Sequence, residues 1–226
     1  MISTQQERWF QLKGERLRGL RDQAANAPRD KPDAFDDSLQ LPEEVYIIGS
    51  GPRWDGEGIP DNAFCIALNK AIIRPEINPS LWGSFAFGYR DQGWWIQAMK
   101  QCRAPRVFGD ILHYVFAQDC EYTFTYFPAY PECQYFEPGI LRTGATIAGA
   151  MLQLCYHKGV KRVIFAGVDM YGPGHFDQPV RDNPSSKDGA WKDVICLDAM
   201  INECRESGME LWSLSKTAAN LEVRHI

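Results

Sequence analysis

Small and polar residues that could carry chemistry recur in this sequence directly after short apolar runs. Gly49-Ser50-Gly51-Pro52 follows VYII, Asn69 follows FCIAL, and Asp169 and Tyr171 follow VIFAGV, with His175 in the loop beyond. Glycines let a chain turn sharply after a strand and come close to a phosphate, whose charge backbone amides can meet. The loop lacks the third glycine of a dinucleotide fingerprint and the Gly-Lys-Ser/Thr of a P-loop, so neither of those sites is supported. A plain strand-end turn is the competing reading. An asparagine side chain offers a donor and an acceptor, suiting a base edge or a ribose hydroxyl, and also suits a turn. Arg142-Thr143-Gly144 opens a stretch in which Ile147, Ala150, Met151 and Leu154 recur at helical spacing. Unpaired amides, the positive end of the helix dipole and the Arg142 charge would suit an anion there, with simple capping by Thr143 as the alternative. The Tyr171 hydroxyl can donate to a phosphate, and His175, unless merely solvated, can take or give a proton near neutral pH. His113, His157 and His225 form no metal spacing, and no HExxH motif occurs.

The elements that must position these residues alternate in type. Residues 4–26 read as a leading helix despite Gly14 and Gly19, and 27–40, with two prolines and four aspartates, as a poorly ordered link. Strands are expected at 45–48, 64–68, 85–87, 106–108, 122–127, 163–168 and 209–214, and helices at 91–102, from Thr143 onward, and at 190–207. Residues 172–189, polar and rich in Gly, Pro and Asp, read as a lid-like loop. Several strands are continuously apolar, as strands covered on both faces would be. The pattern predicts an α/β fold of Rossmann-like kind, a doubly wound, mostly parallel sheet with helices on both faces. Residues 1–40 would form the leading helix and linker, and 41–226 one nucleotide-binding domain. Ligands of such sheets bind at the carboxyl ends of the strands, where the polar residues above fall.

Composition narrows the function. With 226 residues, 45% hydrophobic and 23% charged, the chain can bury a substantial core. A formal net charge of −5 argues against a non-specific nucleic-acid binder. No apolar run would span a bilayer and the N-terminus lacks a signal-peptide core, so a soluble cytoplasmic protein is expected. Seven cysteines without a CxxC pair read as reduced core thiols. Oligomeric state is left open, a homo-oligomer included.

Taken together, IIGSGPRWD, then IALN, then TGATIAGAMLQLCYHKGVKRVIFAGVDMY, and finally MELWSLSKTAANL resemble the bacterial sialyltransferases of the Campylobacter and Haemophilus type. They also resemble the wider group of domains related to the archaeal 6-hydroxymethylpterin diphosphokinase. The resemblance covers roughly residues 44–221 and lies in the order and spacing of short motifs. It implies a pocket for the cytidine monophosphate part of a CMP-sugar, the sugar passing to a glycan or other hydroxyl acceptor. Ser50 would stand near the phosphate and ribose, Asn69 would match the second-strand asparagine, Thr143 and Gly144 a Ser-Gly contact, and Tyr171 the first of two phosphate-binding tyrosines. Where the second tyrosine is expected this chain has His175 and Phe176, and near Trp191, where a general-base histidine is expected, it has none. His175, Asp177 or Asp182 would then serve as base. No cofactor is firmly implied beyond the nucleotide-sugar co-substrate. The diphosphokinase alternative would use ATP and Mg²⁺ held by Asp55, Asp110 and Asp169, and a third reading is a nucleotide-binding relative without catalysis.

Overall fold

A computed structural model describes residues 18–127, 135–136, 141–142, 146–170 and 190–224 of the chain. Seven strands form one parallel sheet: β1 (Glu44–Ile48), β2 (Cys65–Leu68), β3 (Leu81–Ser84), β4 (Arg106–Gly109), β5 (Tyr122–Phe124), β8 (Arg162–Ala166) and β9 (Glu210–Ser213). Two further short strands, β6 (Tyr126–Phe127) and β7 (Leu141–Arg142), pair with each other in parallel. The helices are α1 (residues 18–26), α2 (Gly93–Gln101), α3 (Ile147–His157) and α4 (Ala190–Glu206).

The sheet order is β5-β4-β3-β2-β1-β8-β9, every neighbouring pair parallel. The chain therefore winds outward from β1 to β5, then returns to the other side of β1 for β8 and β9. This is a doubly wound, Rossmann-like sheet whose winding reverses between β1 and β8.

Alternation along β1 divides the core. Val45 and Ile47 face one apolar cluster with α3 and α4, and Tyr46 and Ile48 face another with Trp82, Trp95 and Trp212. Helix α3 is buried from Ile147 to Cys155, because the sheet lies beneath it and α4 packs over it. The six described cysteines are free thiols, five of them buried; burial pushes Cys65 up to about 11 and Cys204 up to about 12, which makes them poor nucleophiles.

Three expectations need correction. The third strand is Leu81–Ser84, while Phe87–Tyr89 forms a 3₁₀ turn instead of ending a strand at 85–87. Gly83 looks like a strand breaker, but a Cβ there would meet Met151 Sδ at 2.9 Å, so the glycine lets α3 cross the strand closely. The expected strand at 122–127 is broken after Phe124 and resumes in the second sheet. Residues 27–40 are not a loose link. Ala34 N donates to Thr123 O at 2.7 Å, Asp33 bridges to Thr123, and Ala34 and Leu39 are buried in the core. The segment thereby covers the outer edge of β5, which an exposed sheet edge requires. The lid-like loop expected at 172–189 lies outside the described residues.

Candidate functional site

The reversal between β1 and β8 brings three loops together at the carboxyl edge of the sheet: 49–54 after β1, 167–170 after β8, and 214–220 after β9. Main-chain bonds knit the first two. Gly49 N donates to Ala166 O and Gly51 N to Gly167 O, both at 2.7 Å. A Cβ on Gly49 would lie 2.2 Å from Gly167 O, and one on Gly51 2.5 Å from the Asp169 carboxyl carbon. The two glycines thus permit backbone-to-backbone packing of neighbouring loops, and their amides are spent on that packing.

Asp169 lies at the centre. Its side chain is buried, Oδ2 accepts from Arg53 N at 2.9 Å, and Oδ1 makes no hydrogen bond of normal geometry. Burial pushes its pKa above the usual carboxylate range, against the smaller opposing effects of the Arg53 amide, the Arg53 and Arg74 charges and the Ser215 hydroxyl. The third loop fastens the second: Gly167 N donates to Ser215 Oγ, Thr217 Oγ1 to Val168 O, and Ala218 N to Asp169 O.

Asn69 directly follows β2, the next strand over. Its backbone is left-handed, at φ 48°, a conformation that asparagine tolerates better than most residues. Its Oδ1 accepts from the buried Ser84 hydroxyl at 2.7 Å and its carbonyl from Trp82 Nε1 at 3.0 Å. No acceptor among the described residues takes Nδ2, so the amide is oriented by the protein with its donors still available. The 3₁₀ turn that Asn69 opens ends at Arg74, a buried arginine bonded to Gly51 O and Trp54 O. Gly49, Ser50, Gly51, Pro52, Asn69 and Asp169 therefore occupy one region, on three adjacent strands.

Arg142 is held differently. Gln153, fully buried in α3, accepts from Arg142 N at 2.7 Å and donates to Arg142 O, so one side chain reads both polar groups of that residue. The helix begins one turn later than Thr143 suggests: Thr146 is the N-cap, accepting from Ala148 N at 3.0 Å. Thr143, Gly144, Tyr171 and His175 lie outside the described residues. Of the histidines that are described, His113 is engaged by Gln118 O and Asp30, and His157 packs edge-on against Phe35.

The carboxylates considered for a magnesium ion do not converge. Asp110 follows β4 and Asp169 follows β8, four strand spacings apart, or about 19 Å. Asp110 instead accepts from Ile111 N, and Asp55 from Glu57 N. No cluster of three or more metal-ligating side chains occurs among the described residues, and no helix among them is long and apolar enough to cross a membrane.

Sequence reasoning missed Arg74, Gln153 and Ser215. Arg74 stands in a stretch with no motif, while Gln153 and Ser215 lie inside the quoted TGATIAGAMLQLCYHKGVKRVIFAGVDMY and MELWSLSKTAANL, where only burial distinguishes them.

The sequence matches no protein-family model, and none of the curated proteins matches it. Among solved structures the chain is similar to the sialyltransferase CstII from Campylobacter jejuni in complex with cytidine-5'-monophosphate. The identity is 11%, over 83% of this chain and 89% of that one, with a TM-score of 0.46. The same enzyme with CMP-3FNeuAc gives 11% identity, 81% and 89% coverage and a TM-score of 0.42. The sialyltransferase CST-II with a trisaccharide acceptor and CMP gives 10%, 81% and 89%, and 0.42.

Proposed function

We propose that this protein holds a nucleotide sugar, CMP-linked by preference, at the carboxyl edge of β2, β1 and β8 and transfers the sugar to a hydroxyl acceptor. The observation that carries the reading is the convergence of the 49–54 loop, Asn69 and Asp169 at the reversal of winding, where open α/β sheets bind their ligands. The sequence resemblance to sialyltransferases supplies the ligand class.

In this reading Asn69 Nδ2 donates to the ribose or base, with Ser84 fixing its orientation. Ser50 approaches the ribose and phosphate through its side chain, since the neighbouring glycine amides are already bonded. Arg142, Thr143, Gly144 and Tyr171 meet the phosphate. Transfer forms a bond from the acceptor oxygen to the anomeric carbon as the bond from that carbon to the phosphate oxygen breaks. The hydroxyl proton passes to His175, or to Asp177 or Asp182, and the nucleotide monophosphate leaves with its charge stabilised by Tyr171 and Arg142.

A magnesium-dependent diphosphokinase is the weaker reading, because Asp110 and Asp169 are too far apart to share a metal–phosphate centre. Titration calorimetry with CMP, UMP and GDP, and thermal shift with CMP-sialic acid, test the proposal. CMP binding without added metal is expected. Absence of binding by all three nucleotides, with no thermal shift, removes its basis; binding without turnover across a donor and acceptor panel favours the non-catalytic relative.

A further inference from the structure

The geometry points to Arg74 as the positioning residue of this site, the group that sets the shape of the 49–54 loop and through it the nucleotide contacts. This rests on the function proposed above for its second half only. Arg74 is 4% exposed. Its three kinds of nitrogen go to three different acceptors: Nη1 to Gly51 O at 3.0 Å, Nη2 to Trp54 O at 2.9 Å, and Nε to Glu76 Oε2 at 3.3 Å. The guanidinium also lies over the Trp54 ring, 4.5 Å from its centroid. A buried cation is expensive unless every donor is met, and here loop carbonyls meet two of them.

The opposite charge works on the same loop from the β8 side. Asp169 accepts the Arg53 amide, and Gly167 O accepts the Gly51 amide. Carbonyls of the loop thus turn to Arg74 and its amides to the 167–169 segment. Because Arg74 closes the turn that Asn69 opens, the same bonds tie that turn to the loop. A lysine would keep the charge but, as a point donor without the planar fork, could not bridge Gly51 O and Trp54 O.

The test is Arg74→Lys, with Arg74→Met beside it and Glu76→Gln as control, read by NMR hydrogen exchange and CMP calorimetry. In Arg74→Lys the Gly51 and Arg53 amides are expected to exchange about 10- to 100-fold faster, while the Tyr46 amide, bonded to Phe64 O at the start of β1, keeps its rate. Glu76→Gln, which leaves both carbonyl bonds in place, is expected to stay within about twofold of the parent. The affinity for CMP should fall about tenfold or more in Arg74→Lys. Unchanged loop exchange in Arg74→Lys, or equal acceleration at Tyr46, overturns the assignment, as does a loosened loop with undiminished CMP affinity. If the parent protein binds no CMP, the proposed function fails and the exchange data alone decide the role of Arg74.

Discussion

Replacing Gly49 by alanine tests the packing of the β1 and β8 loops at the point where sequence and structure meet. The added Cβ would sit 2.2 Å from Gly167 O and 2.8 Å from the carbon of the same carbonyl, against an ordinary contact of 3.4 Å or more. Neither atom belongs to a side chain that could swing aside, so the two loops must separate by roughly 1 Å. That movement stretches the 2.7 Å bonds from Gly49 N to Ala166 O and from Gly51 N to Gly167 O beyond useful length. Two backbone bonds at about 1 kcal/mol each, plus overpacking at about 1–3 kcal/mol, give a destabilisation of about 3–5 kcal/mol. Urea unfolding followed by tryptophan fluorescence measures it, with Gly93→Ala as the control. Gly93 opens α2 with nothing within 4 Å of its Cβ position, so alanine there should be neutral or stabilising by up to about 1 kcal/mol. A Gly49→Ala variant within about 1 kcal/mol of the parent would refute the reasoning, because a loop that yields so easily cannot be fixed by backbone packing.

Other perturbations separate the roles of single side chains. Asn69→Ala should lose about 2–3 kcal/mol of stability, through strain at φ 48° and an unpaired Ser84 hydroxyl, whereas Asn69→Gly should recover the strain, about 1 kcal/mol, but not the nucleotide affinity. Paired urea melts and CMP titrations check this, and equal affinity of Asn69→Gly and parent would remove Asn69 from the site. Gln153→Leu leaves both backbone polar groups of Arg142 without their partner and should destabilise by about 3 kcal/mol in the same melts; a neutral result would mean water replaces the amide. For Asp169 the sign follows from its raised pKa. The folded state holds the proton more tightly than the unfolded chain, so burying the ionised carboxylate weakens the fold at pH values above the folded pKa. That penalty fades as pH falls through the folded pKa and is gone below the ordinary value of 3.8. Asp169→Asn should therefore gain stability over the parent near neutral pH and lose that gain in acid; a gain that grows in acid would contradict the cause given for the shift.

The strands were legible where apolar runs ended at glycine or a polar residue, as at Ile48, Leu68 and Ala166, because a strand covered on both faces leaves that signature. Leu81–Ser84 was hidden by Gly83, whose purpose becomes visible only with Met151 placed above it. Thr143 and Thr146 offer the start of α3 the same capping chemistry in sequence, and only the Ala148 amide distinguishes them. In 27–40, prolines and aspartates masked two buried apolar residues, Ala34 and Leu39, whose burial depends on a strand some ninety residues away. The candidate site was half legible. Polar residues at strand ends announce themselves, whereas Arg74 does its work through carbonyl oxygens of a distant loop, and no local pattern encodes that.

A crystal structure of the protein grown with CMP tests the central claim most directly. The account predicts the nucleotide at the carboxyl edge of β2, β1 and β8, with Asn69 Nδ2 within hydrogen-bond distance of it and Ser50 against its ribose or phosphate. CMP bound instead beyond β4 and β5, near Asp110, or anywhere that leaves Asn69 and the 49–54 loop untouched, would contradict it.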